Sequence, residues 1–466
     1  MRGRSPARMF LCIAAVLVAW FIVPRQSVLS ASHHATAESQ ETSTVLFTAA
    51  PVYESLAALQ GEERFPQGTR VMVQRGGGRP EPLVPDLAWS ADPSVSFDGK
   101  RVLIAGRQTA AEPWQIWQVG VDGSAPRRVL AADSDLIRPL WMPDGRFVYA
   151  RKSPSGFVLE SAGLDGKNIL RLSYGPGNYI PDDVLRDGRV LFESGFPLGV
   201  GHVPEMYLVY ADGSGVESIR CDHGSARAHG RQLLSGDIVF THGGRLARFT
   251  SALANETSIA APSGDYAGDV AEMPDGRWLL SERVRGQRHY SIRVWKPGSG
   301  AMETTVEDAA RDLVEPVVAA PRGVPNRHPS ALHDWTTGNL LALDARQSRA
   351  GALTTTPAAV RVETSSDTGK EVTLGTAPVE KDGSFFVQAV ADRPLRFVLL
   401  DAQGNTLREQ HGWMWIRKGE QRICVGCHTG PERAPENRVP QILLRSTTPT
   451  RLTEPSISAA AGGALK

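Results

Sequence analysis

Residues 142–173 read MPDGRFVYARKSPSGFVLESAGLDGKNILRLS, and they decide the fold. Asp144-Gly145 forms a tight turn, and the strand-like run FVYARKS follows it. A second turn of the same kind, in AGLDGKNILRLS, opens another hairpin. The unit recurs along the chain. Asp98-Gly99-Lys100 leads into RVLIAGR, Asp187-Gly188-Arg189 into VLFESG, Ser235-Gly236-Asp237 into IVFTHGG, and Asp275-Gly276-Arg277 into WLLSERV. The first two steps are 46 and 43 residues, and the others fall between about 39 and 50. VGVDGSAPRRVL and VYADGSGVESIR supply second hairpins in between.

A period of 40 to 50 residues with several short strands per unit marks propeller blades. One four-stranded sheet cannot bury both of its faces, whereas a closed ring of sheets can. Five units are plain. Segments 46–90 and 290–348 supply one or two more, so six or seven blades are expected. The Asp-Gly-Lys and Asp-Gly-Arg repeats resemble those of TolB-like propellers. Beyond residue 355 the pattern changes. AAVRVET, EVTLGTAPVEKDGSFFVQAV, PLRFVLLDAQGNTLRE and HGWMWIRKG alternate as strands, with turns at Lys381-Asp382-Gly383 and Ala402-Gln403-Gly404-Asn405. These form a small antiparallel sandwich. The fold class is mainly β, a propeller followed by this sandwich and a short C-terminal segment.

The N-terminus carries Arg2, Arg4 and Arg8, then the uncharged apolar run Met9 to Val23, then small polar residues around Val28-Leu29-Ser30. That is the layout of a secretory signal. At 15 residues the run is short for a membrane span, which takes about 20; an uncleaved anchor is the other reading. Both place the rest of the chain outside the cytoplasm, in a periplasmic or otherwise exported location. The net charge of +1, from 51 basic and 50 acidic residues, argues against a nucleic-acid partner. A membrane enters only through the N-terminal segment.

Of 4 cysteines, two lie in GEQRICVGCHTGPE, where His428 follows Cys427 directly. Cys424-X-X-Cys427-His428 is the attachment pattern of c-type haem. The two thiols add to the vinyl groups on one porphyrin edge, and the adjacent histidine turns under the iron as proximal ligand. Covalent attachment happens outside the cytoplasm, in agreement with export. A structural zinc site needs four ligands, and Cys221 lies more than 200 residues away. A thioredoxin-like pair needs a βαβ setting, which is absent. One covalent haem c is therefore expected, with its iron on His428.

Only 38 residues follow His428, and Pro431, Pro435 and Pro440 break any long helix among them. The haem must be covered from elsewhere, by the sandwich and the propeller rim. His411, 17 residues before His428, ranks first as distal ligand, followed by His242 and His333. His223, His229, His328 and Met414 are further candidates, and a vacant sixth position is the remaining alternative. Trp413 and Trp415 share one strand face, to pack on the porphyrin or in the sandwich core. Cys221 beside Asp222 and His223 reads as a structural cysteine. No Gly-X-Ser-X-Gly elbow, His-Glu-X-X-His helix or phosphate loop is present, since RGGGRP at 75–80 lacks the Lys-Ser/Thr pair.

The expected layout is a signal peptide or anchor at 1–31, a linker at 32–45, a propeller at 46–350, a small sandwich at 355–418, a haem c attachment segment at 419–445 and a disordered tail at 446–466. LGTAPVEKDGSFFVQAVADRPLRFVLLDAQG, then GWMWIRKGEQRICVGCH and APENRVP, resemble hydrazine synthase alpha-subunit-like proteins over roughly residues 90 to 440. The resemblance implies an exported propeller with a monohaem segment, haem on Cys424 and Cys427, and His428 as ligand. The chain departs from that pattern in having a single CxxCH, so hydrazine synthesis is not implied. The reading is a cytochrome exchanging electrons with a redox partner protein or a small-molecule donor or acceptor. The alternatives are a haem-dependent oxidoreductase with its substrate in the propeller channel, and a scaffold with structural haem.

Overall fold

The computed structural model describes residues 43–195, 203–220, 226–251, 254–348, 351–365, 370–410, 412–426 and 438–452. Strands dominate. Six antiparallel sheets, each with a four-stranded path, form the propeller, and two further four-stranded sheets form the sandwich. Six is the lower of the two expected blade numbers. The Asp-Gly signal has a local cause. In several of these turns the aspartate carboxylate accepts the amide two residues on, as in Arg189 N–H to Asp187 and Arg277 N–H to Asp275, both 3.0 Å. At Gly188 φ is +87°, and a Cβ would stand 2.3 Å from the Asn326 carbonyl oxygen, so only glycine fits.

The ring closes by pairing Val45–Ala50 antiparallel with Asp312–Val318, so the first blade takes its inner strand from the far end of the domain. The propeller therefore ends at 318 rather than 350. Thr337–Asp344, expected in a blade, belongs to the sandwich. Between them the chain runs along the ring without regular structure. Arg322 N–H donates to Phe97 O, Asn326 N–H to Arg186 O, and Ala331 N–H to the Asp212 carboxylate.

Each blade brings one polar residue from its innermost segment to the axis: Asp92, Arg138, Asp182, His229, Asp269 and Glu315. Register shifts at Ala91/Ser94, Ile137/Leu140, Pro181/Asp183 and Ala228/Arg231 aim them inward. Asp92, Arg138, His229 and Glu315 hold positive φ, between 54° and 60°. Arg138 links its own blade to four others. It meets Asp269 at 2.6 Å, Glu315 at 3.0 Å and Asp182 at 3.4 Å, and its amide donates to Asp92. Arg64 adds ion pairs to Asp92 and Glu315. Segment 51–69 caps one end of the axis. Tyr53, Leu59 and Phe65 pack there against Trp114, Phe157, Ile180, Tyr290 and Val314. These side chains close over this end of the axis among the described residues.

In the sandwich, one sheet runs Gln421–Gly426, Thr337–Asp344, Phe385–Val390, Thr450–Arg451. The other runs Glu371–Pro378, Ala359–Ser365, Arg396–Leu400, Thr406–Glu409. Val360, Val362, Leu374, Phe385, Val387, Leu399 and Ile416 fill the space between. Both outer strands of the first sheet pair in parallel, an arrangement that needs a crossover and leaves no hairpin signature. The sandwich thus extends past the expected 355–418 in both directions. Residues 446–452, expected within a disordered tail, hold the strand Thr450–Arg451 and the buried Leu452. Val45, placed in the linker, already starts the first strand. Segment 1–31 lies outside the described residues.

The sandwich docks on the rim of the third and fourth blades. Trp415 is buried among Tyr174, Tyr179, Phe192 and Val209, and its Nε1–H donates to Gly213 O at 2.8 Å. Arg417 binds the Asp392 carboxylate at 2.7 Å and donates to the carbonyls of Arg171 and Asp212. Gly215 N–H donates to Glu420 at 3.0 Å, and Arg422 donates to Val216 O. Of the paired indoles, Trp415 is thus a docking anchor, whereas Trp413 lies half-buried under the Arg396 guanidinium. Trp415→Ala is expected to lower the unfolding free energy by about 3–5 kcal/mol, and Trp413→Ala by about 1 kcal/mol. Urea titrations measure both; equal losses would refute the docking role.

Candidate functional site

Gln421–Gly426 is the edge strand that carries the first cysteine. Its register sets Cys424 opposite Ala342 and Gly426 opposite Asp344. Cys424 is a free, half-buried thiol packed against the sandwich core, and Ile423 beside it is 66% exposed. Strand alternation sends these neighbours to opposite faces. Cys427 and His428 lie outside the described residues.

The chain returns at Arg438, whose guanidinium meets the Asp382 carboxylate at 3.1 Å. The same carboxylate accepts the Gln441 amide at 2.8 Å, and Ser384 Oγ accepts the Ile442 amide at 3.1 Å. Arg445 pairs with Glu380 at 2.9 Å. These contacts seat the short helix Gln441–Arg445, which begins after Pro440. Asp382 also closes its own turn by accepting from Ser384 N–H and Oγ. Burial pushes its carboxyl up, but the donors from Ser384 and Gln441 outweigh that and hold it below the ordinary carboxylate range. Gly383 lies at φ +82°, and a Cβ there would stand 2.2 Å from Asp344 Oδ1. Asp344 is the partner of Gly426. The chain thus leaves and returns at one place, the Asp344–Gly383 contact.

The distal-ligand candidates are scattered. His411 and His223 lie outside the described residues, as does Cys221. His242 sits in the fifth blade, with Nδ1 2.6 Å from a Glu256 oxygen whose partner oxygen binds Arg227. His333 lies on the connecting segment. Its N–H donates to Lys418 O at 3.1 Å, and its ring stacks on Trp335. Gly419, at φ +76°, leaves room for that imidazole; a Cβ would stand 2.7 Å from His333 Cδ2. His333 is thus held beside the turn that opens the cysteine strand. His328 stacks on Tyr210, Met414 forms a bridge with Leu395, and His229 is buried at the propeller axis. The anchoring role of Asp382 was missed in the sequence. Its only signal there is Asp-Gly-Ser, a turn motif in which one carboxylate oxygen satisfies the turn and the other stays free for a distant partner.

Comparison with known proteins gives a consistent picture. Residues 340–429 match the family described as hydrazine synthase alpha subunit middle domain. Over 173 residues the chain is 26% identical to hydrazine synthase subunit alpha of Kuenenia stuttgartiensis; the match covers 36% of this chain and spans 20% of that relative's length. The solved Kuenenia stuttgartiensis hydrazine synthase superposes with a TM-score of 0.74 at 18% identity, over 86% of this chain and 71% of that one. TolB from Acinetobacter baumannii superposes at 0.46 and 15% identity, over 60% and 68%.

Asp382→Asn is expected to release the returning segment. Amide exchange in 438–452 should rise, and stability should fall by about 1–3 kcal/mol. Because the folded carboxyl is depressed, its contribution is present above the unfolded value near 4 and is lost as pH falls through the folded one. Protection of 438–452 should therefore decline on acidification in the wild type and stay flat in the variant. Hydrogen exchange followed by mass spectrometry reads both, and an acid-sensitive variant would refute the role.

Proposed function

We propose that this hydrazine synthase alpha-like chain is an exported monohaem c-type cytochrome, with haem c held by Cys424 and Cys427 and His428 as proximal ligand to the iron. The observation that carries the proposal is the pairing of the CxxCH motif with an anchored loop. The motif starts on a rim-docked edge strand, and the chain returns to the same point through Asp382.

The residues present suit the group. Among the described residues Cys424 is a free thiol, half-buried on an edge strand of its sheet. Bound haem c supplies a one-electron couple whose potential follows from its axial ligands and burial. The protein's part is to hold the attachment point still. Gln421–Gly426 is fixed by its pairing with Thr337–Asp344, and Arg417, Glu420 and Arg422 tie the preceding turn to the propeller rim. His411 and His333 are the distal candidates, His411 by sequence proximity and His333 by its seat against Gly419. A partner protein or small molecule would exchange electrons at this rim. The N-terminal basic and apolar segment, as signal or anchor, would deliver the chain to the periplasm or another exported compartment. Hydrazine synthesis is not part of the proposal.

The test is a pyridine haemochrome spectrum of the full chain produced with c-type cytochrome maturation. One covalent haem is expected, reduced to background in Cys424→Ser with Cys427→Ser. A wild type without haem would refute the proposal. His411→Ala and His333→Ala, compared by spin state and carbon monoxide binding, separate the distal candidates.

A further inference from the structure

We infer that Asp182, Glu193 and His229 form a binding site for a divalent transition-metal ion at the propeller axis. Asp182 and Glu193 stand on neighbouring strands of the fourth blade, and His229 on the inner strand of the fifth. All three are at most 4% exposed, and one ligand atom from each lies within 4.8 Å of the other two. At ordinary metal–ligand distances of about 2.1 Å, donor atoms stand about 3–4 Å apart, so closure on an ion shortens these separations by at most about 1–2 Å.

The imidazole supplies a second, independent observation. His229 Nε2 is buried without a hydrogen-bond partner, and Nδ1 stands 3.8 Å from Glu193 Oε1, beyond hydrogen-bond reach. A buried polar nitrogen left in this state is costly. Gly268, at φ +119°, makes the room, since a Cβ there would stand 2.4 Å from His229 Cγ.

Charge points the same way. Five buried carboxylates, Asp92, Asp182, Glu193, Asp269 and Glu315, surround two buried guanidiniums, Arg64 and Arg138. Arg231 at the margin is shared with Asp183 and Asp269. Asp269, Glu315 and Asp92 are engaged closely by the guanidiniums, Asp182 meets Arg138 only at 3.4 Å, and Glu193 accepts the His229 amide but meets neither Arg64 nor Arg138 in a described ion pair, so the Asp182–Glu193 pair is the more weakly compensated part of the hub. A cation between those two would relieve their repulsion. One nitrogen and two carboxylate oxygens suit Zn²⁺, Mn²⁺ or Fe²⁺, rather than the all-oxygen sets of Ca²⁺ and Mg²⁺. With ligands from two blades, the ion would cross-link them. The inference is independent of the haem reading.

Cobalt(II) is the probe, because it is counted separately from haem iron. Full-length wild type, stripped with chelator, loaded with Co²⁺ and gel-filtered, is expected to keep one equivalent by elemental analysis, to show ligand-field absorption and to melt at a higher temperature than the stripped form. His229→Gln and Glu193→Gln are expected to lose the bound cobalt and the thermal shift, with far-UV circular dichroism reporting whether each folds. Glu303→Gln, at an exposed position on the outer strand of the sixth blade, should bind as wild type. Absence of cobalt from the wild type overturns the inference whatever the variants do, as does wild-type binding in both folded variants. The Asp182–Glu193 pair would then share a proton instead.

Discussion

Arg138 at the propeller axis is the contact on which the rest of the molecule depends. Its guanidinium joins carboxylates from three other blades, and its own amide binds a fourth. Burial alone would lower its pKa, yet the surrounding Asp269, Glu315 and Asp182 raise it well above the usual value. Removing one partner from such a network leaves an unpaired buried charge, typically a loss of about 3–5 kcal/mol. The geometry has its own cost, since four of the six axial residues hold left-handed backbone, each worth roughly 1–3 kcal/mol of strain. A hub assembled from one side chain per blade ties the register of all six blades together.

The contacts with the sandwich lie away from this hub. The propeller offers its rim, where blade turns present backbone carbonyls at fixed positions. The sandwich uses them as acceptors. Trp415 reaches Gly213, Arg417 reaches Arg171 and Asp212, and Arg422 reaches Val216. Carbonyls within a blade are rigid, so a domain docked on them inherits that rigidity. The cysteine strand begins four residues after Arg417, close to the fixed part of the interface.

Much of this was legible in the sequence, and the remainder was hidden for identifiable reasons. The Asp-Gly turns were readable because one carboxylate and one glycine close several of them locally, as at Asp187-Gly188. Their spacing exposed the blades. The ring closure was harder to see, because the strand Asp312–Val318 carries no turn of its own and completes a blade begun some 270 residues earlier. The sandwich boundary slipped because Gln421–Gly426 and Thr450–Arg451 join in parallel, without hairpin turns. The hub was invisible, since Asp, Arg, Asp, His, Asp and Glu at corresponding positions follow no single residue type. For the site, CxxCH was legible because adjacent residues carry the whole pattern. The distal position was not, because candidates such as His333 and His242 are brought together or kept apart only by the tertiary fold.

Ring closure also bears on how the protein reaches its native state. Val45–Ala50 and Asp312–Val318 are hydrogen-bonded neighbours, but the intervening chain must be made before they can meet. Contacts this distant in sequence slow folding, because loop entropy is lost before native energy is gained. Until residue 318 is available, the first blade lacks its innermost strand, and Arg64 and Arg138 lack Glu315. A partly synthesised chain would therefore be an open arc with an unpaired strand edge, the kind of surface that recruits other strands. The clasp that makes the finished ring cooperative also makes the unfinished one vulnerable to aggregation.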